Sequence, residues 1–159
     1  MDSLMKFFHL ASAIIWLGGM TALLFALRPG AMAILDGPVR ARLMAQVWRR
    51  FFAIVAACVI ILLATGGSMY SAGLRAFKLA SASGGLSAVP LGWHVMTALG
   101  FAMALVFGHI YFAGFRKFQR AVAAEQWPVA AAAANQVHKL VVLNFCLGWL
   151  AIAAVRLLP

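Results

Sequence analysis

Four stretches of the chain are apolar almost throughout: Leu4–Leu27, Phe51–Ala72, Leu91–Phe115 and His138–Leu157. Each supplies the roughly 20 mostly apolar residues that a helix needs to cross a 30 Å hydrocarbon core. The pattern therefore predicts an all-α integral membrane four-helix bundle of up-down topology, in which residues 1–159 form a single transmembrane domain. Polar positions punctuate these runs. Leu27-Arg28-Pro29-Gly30 reads as a stop after the first run, because proline cannot continue a helix and glycine readily ends one. From Pro38 to Arg50 the segment is amphipathic and leads directly into the second run, as an interfacial helix or an inner extension of helix two would. Leu74–Pro90, with its Ser, Ala and Gly residues, reads as the one sizeable outer loop. Helix three extends beyond its apolar run through Phe115–Gln126, and Trp127-Pro128 turns the chain with proline as a first helical residue. The alanine-rich stretch Ala130–Ala134 that follows is helical in character.

Charge sets the expected orientation. A formal net charge of +10 would point a soluble protein toward nucleic acid. Here the thirteen Lys and Arg residues gather at helix ends, so no nucleic-acid partner is expected. Arg28, Arg40, Arg42, Arg49, Arg50, Arg116, Lys117, Arg120 and Lys139 mark one face, and Lys6, Arg75, Lys78 and Arg156 mark the other. That asymmetry predicts a bacterial inner-membrane protein with both termini in the periplasm and loops one and three in the cytoplasm, where basic residues meet anionic headgroups. The first run is too long for the apolar core of a signal peptide and carries no small-residue cleavage site, so it reads as the first crossing. Cys58 and Cys146 lie mid-run in apolar company and read as small hydrophobes. The only acids, Asp2, Asp36 and Glu125, lie in tails or loops. Paired-carboxylate hydrolysis and a carboxylate proton relay are both excluded within the membrane.

The candidate chemistry lies in the four histidines, since ionisable groups are costly in hydrocarbon and tend to mark function there. Helices one and three should run in the same direction, which puts His9 and His94 toward the outer face. His109 and His138 then fall toward the inner face. His94 and His109 are separated by about 22 Å along one helix and offset by about 60°. Two histidine pairs at matched depths suit axial ligation of haem b, as one site or as two stacked ones. The expected function is then a small redox or electron-transfer component, and any turnover would be that of an oxidoreductase. No catalytic residue is assigned. Partners would be the lipid bilayer and a membrane redox partner or a second copy of the chain. Recurrent glycines (Gly18, Gly19, Gly66, Gly67, Gly100, Gly108 and Gly148) would allow either close helix packing or space for a macrocycle. The main alternative is copper. Met5 lies one turn from His9, and Met96 is close in sequence to His94, giving the thioether and imidazole donors that favour Cu(I). Met96, however, projects about 200° around the helix from His94. A third reading is a non-catalytic membrane assembly subunit whose histidines are interfacial.

The residues His9-Leu-Ala-Ser-Ala-Ile-Ile-Trp16-Leu-Gly18-Gly19 resemble the first-helix signature of the copper-resistance D family of bacterial inner-membrane proteins. Arg50-Phe-Phe and Ala64-Thr65-Gly66 on helix two are similar to that family as well. The chain also resembles the related membrane protoporphyrinogen oxidases, four-helix proteins reported to bind haem b, with Trp93-His94 and His109 echoing their third helix. It departs from the oxidase pattern in two places. Met96 stands where a lysine is expected, and Asn144-Phe145 stands where the last helix carries Asn-Glu. The fit to the copper-resistance group is the better one. That resemblance implies copper handling as the activity.

Overall fold

The structure, a computed structural model, describes residues 2–83 and 89–158, and these are almost entirely helical. Four long rods carry the chain: α1 (Ser3–Ile34), α2 (Gly37–Ala82), α3 (Leu91–Ala123) and α4 (Trp127–Leu157), each long and apolar enough to cross a membrane. Only 17–22% of each spanning window is buried inside the bundle. Large apolar side chains such as Phe7, Ile14, Phe25, Ile60, Phe101 and Leu105 therefore face outward, where acyl chains rather than water must solvate them. This is a multi-pass membrane protein.

α1 packs along α2 and α3 packs along α4. The two hairpins meet through α1–α4 and α2–α3 contacts, closing an up-down ring. Its core is strongly aromatic. Phe52 sits against Trp48, Phe107, Tyr111 and Phe115, and Trp16 reaches across from α1 to meet Phe107 edge-on. Lipid supplies no hydrophobic drive between helices, so association rests on such packing and on close backbone approach.

Several element ends differ from the sequence reading. α1 does not stop at Leu27. It passes through a π-helical turn at Leu23–Leu27 and continues over Arg28–Ile34, with Pro29 near the start of that last segment. Arg28 N–H reaches back five residues to Leu23. The widened turn lets the chain absorb a proline that has no N–H to donate and whose ring would crowd a normal turn. The amphipathic segment is an extension of α2. Its first turn is capped by Asp36, which accepts from Val39 N–H at 3.3 Å, with Pro38 in the first turn. At its other end α2 runs on to Ala82, because Leu74–Ala82 is rich in good helix formers despite Ser81. The α2–α3 connection is correspondingly shorter than Leu74–Pro90, and residues 84–88 of it lie outside the described residues. α4 begins at Trp127 rather than His138, with Pro128 in its first turn. Between α3 and α4 the turn places Glu125 at φ 53°.

Glycines serve close approach at some positions and face open space at others. A Cβ on Gly18, Gly67, Gly100 or Gly108 would meet nothing within 4 Å, whereas one on Gly148 would meet Leu17 and Met103. Gly92 is the tightest of the interhelical contacts. A Cβ there would overlap the main-chain oxygen of Ala154 and come within 2.8 Å of that of Leu158. Main-chain atoms cannot swing aside as a side chain does. Gly92→Ala should therefore prise α3 from α4 and destabilise the bundle by about 1–3 kcal/mol, the usual cost of overpacking. Gly18→Ala should leave stability nearly unchanged. Thermal unfolding of both variants in the same detergent checks the contrast.

Candidate functional site

The end of the bundle where α1 begins and α4 finishes holds two histidines, each tied to α2. His9 Nδ1 lies 2.9 Å from Thr65 Oγ1, and the Thr65 hydroxyl donates to the Ile61 carbonyl at 2.6 Å. A threonine hydroxyl has one proton, and here Ile61 receives it. With the hydroxyl so directed, His9 Nδ1–H is the donor to Thr65, and the ring in its neutral form then carries its lone pair on Nε2. An outer-shell partner of this kind fixes the tautomer and ring orientation that a metal ligand requires. The half-buried ring lies directly over Gly66, where a Cβ would sit 3.0 Å from His9 Cε1. The small residue is what lets the imidazole lie against α2.

The second histidine has its own partner. His94 Nδ1 is 2.6 Å from Tyr70 Oη, with the two rings packed edge-on at 5.6 Å. His94 itself is exposed, while Trp93 beside it packs over Gly73. Thr65 and Tyr70 are five residues apart on α2, hence about 140° around the helix and about 7.5 Å along it. The His9–Thr65 and His94–Tyr70 contacts thus lie on different sides of α2 and at different depths. Axial ligation of one haem iron by His9 and His94 does not fit this arrangement.

The other pair does not converge either. α3 faces the core with Met103, Phe107, Ile110 and Gly114. His109 is about 200° from Phe107 and about 100° from Ile110, and it is exposed. His138 turns the other way, into a small gap of about 20 Å³ between Leu23, Leu24, Arg28, Met44, Trp48 and Val141. That is room for about one water molecule. Haem ligation by this pair does not fit the side chains as they stand, so no step is derived through a macrocycle.

For copper the donor set is better. Among the described residues no three His, Cys, Asp or Glu side chains converge, so thioethers would have to complete any site. The antiparallel His9–Thr65 contact fixes the register of α1 against α2. One turn further out on each helix, Met5 and Met69 come to the same level, both half-buried. Met69 is a candidate that the sequence reading misses. Its only signal is its position four residues after Thr65, and that means nothing until α1 and α2 are paired. Met96 follows Gly92 on the stripe of α3 that continues to Met103, both buried, and so turns away from the exposed His94. Both cysteines are free, Cys58 buried and Cys146 exposed.

A family model described as "Copper resistance protein D" matches residues 45–158. That span holds Thr65, Met69, His94, His109 and His138 but leaves out His9 and Met5. No curated protein and no solved structure matches the chain.

Proposed function

Because the chain belongs to the copper resistance protein D family, we propose that it handles monovalent copper at the end of the bundle carrying His9. The carrying observation is the His9–Thr65–Ile61 chain of hydrogen bonds, which orients the imidazole so that its neutral form carries the lone pair on Nε2. Met5 and Met69 supply soft sulfur donors beside it, and soft neutral donors favour Cu(I). With no carboxylate in the set, a bound ion keeps its single positive charge. Placement near the end of the bundle rather than at its middle limits the cost of that charge in hydrocarbon. Copper is the cargo here, and the residues bind and orient it.

We place the protein in a bacterial inner membrane with this end in the periplasm, on the strength of the nine-to-four asymmetry of basic residues. A fluorescent reporter active only in the cytoplasm, fused after Pro159, should be silent. A bright fusion would put the His9 end in the cytoplasm.

Two tests address the ligand set. X-ray absorption at the copper edge of Cu(I)-loaded protein should show a mixed nitrogen and sulfur shell. The sulfur contribution should fall in Met5→Leu and Met69→Leu, and a shell of nitrogen alone would remove the methionines. Thr65→Val keeps the shape but takes away the acceptor for His9 Nδ1–H. It should weaken Cu(I) binding by about tenfold to a hundredfold, as loss of an outer-shell partner does elsewhere. Equal affinity in Thr65→Val would mean that the tautomer argument plays no part.

A further inference from the structure

The opposite end of the bundle holds a cavity of about 270 Å³, bounded by the last turns of α1, the start of α2, the start of α4 and Phe118 of α3. Its floor is apolar, with Trp48 and Phe118 both buried. Its only charged lining residues are Arg28 and Arg40. Neither has a carboxylate partner among the described residues. The two acids at this end are engaged elsewhere: Asp36 caps Val39, and Glu125 pairs with Arg42 at 2.9 Å. Arg42 is further held over the Trp127 ring, at 5.4 Å from its centroid. Arg40 donates one N–H to the Leu35 carbonyl at 3.3 Å and keeps the rest of its fork available. The Arg28 guanidinium makes no hydrogen bond among the described residues; only its main-chain N–H is used, within α1. Asn135 adds an amide to the lining, and Gly37 and Trp127 bring the first turns of α2 and α4 to the rim with their positive dipole ends.

Two half-sequestered guanidiniums without counter-charge, in a cavity with an apolar floor, call for an anion. Guanidinium forks match phosphate oxygens in geometry and charge. Basic pockets between transmembrane helices are suited to phospholipid headgroups. We propose that this cavity is a binding site for a phosphate-bearing anion, held by Arg28 and Arg40, whether the phosphate belongs to an anionic lipid or is free in solution. The volume admits a phosphate with its glycerol, and exposed apolar surface at Met32 and Ile34 continues outward from the rim for acyl chains. The site lies at the other end of the bundle from His9 and does not depend on copper.

The test uses the full chain in a neutral detergent, titrated with monomeric short-chain phosphatidylglycerol and phosphatidylcholine, with bound lipid counted by native mass spectrometry. Monomeric lipid presents no charged bilayer surface, so only discrete binding registers. One phosphatidylglycerol per chain should bind in preference to phosphatidylcholine. Arg28→Gln and Arg40→Gln should each weaken it about fivefold, and the double variant about twenty-five-fold, at roughly 1 kcal/mol per cation. Arg49→Gln, on an exposed residue outside the cavity, should bind as the parent does. Circular dichroism of each variant confirms that the helices persist, and Arg28→Lys with Arg40→Lys should restore part of the binding. Inorganic phosphate then separates the sources. Displacement of the lipid at millimolar phosphate assigns the site to the phosphate group itself, and failure to displace assigns it to the lipid. Equal lipid binding by the parent and by a folded Arg28→Gln/Arg40→Gln variant would overturn the proposal, as would an Arg49→Gln loss as large as that of the double variant.

Discussion

His9→Ala should lower Cu(I) affinity by more than about a hundredfold, since removing even an outer-shell partner of a ligand costs 10–100-fold. The substitution deletes the imidazole that Thr65 orients, the Thr65 hydroxyl itself being directed to the Ile61 carbonyl. His9 is half-buried on α1 and packs over Gly66 rather than in the central core, so the fold should survive its loss. Three comparisons sharpen the result. His109→Ala, on the exposed face of α3, should bind copper as the parent does. His138→Ala, in the small gap beside Arg28 at the other end, should do the same. His94→Ala breaks the contact with Tyr70 at the rim and should have a smaller effect than His9→Ala. A competition titration against a Cu(I)-specific chelator reads all four. Loss of affinity in His109→Ala equal to that in His9→Ala would place the ion elsewhere.

The second large effect is on stability. Phe52 is 2% exposed and joins α2 to α3. It makes edge-to-face contacts with Phe115 at 5.0 Å, Phe107 at 6.0 Å and Tyr111 at 6.4 Å, and a tilted one with Trp48 at 6.2 Å. Phe52→Ala removes a ring that these neighbours cannot all close upon. We expect a loss of about 3 kcal/mol, at the low end for a buried Phe→Ala, because lipid rather than water solvates the separated helices. Phe101→Ala, on a ring that faces lipid, should cost far less. Reversible unfolding of the two variants in mixed micelles measures the difference, and equal losses would show that the aromatic cluster does not hold the hairpins together.

The spans themselves are legible in the sequence, because a helix in hydrocarbon must satisfy its own backbone and so advertises itself as a long apolar run. Pro128 is read correctly as a first-turn residue because a proline there gives up only an N–H that has no helical partner. Pro29 misleads for the same local reason. Its rule is right for a regular helix, and the π-helical turn at Leu23–Leu27 that accommodates it has no signature in composition. The site is less legible. His9 stands out from depth alone, but its importance rests on Thr65, which is distant in sequence and is found only when α1 lies along α2. Sorting histidines by depth brings His109 and His138 to one face of the membrane. It omits the second coordinate, the angle around each helix, and that angle turns them apart. Met69 is invisible for the complementary reason, since its angle and depth acquire meaning only from the α1–α2 register.

The central claim is that this chain holds copper and that the ion sits on His9. Its most direct test is one preparation of the purified full chain from cells replete in both haem and copper. The sample is loaded with Cu(I), challenged with bicinchoninate, and scanned optically before and after dithionite. The account predicts one Cu(I) per chain retained against the chelator and no Soret band in either scan. A Soret band with α/β bands that sharpen on reduction, in protein that surrenders its copper to the chelator, would contradict it.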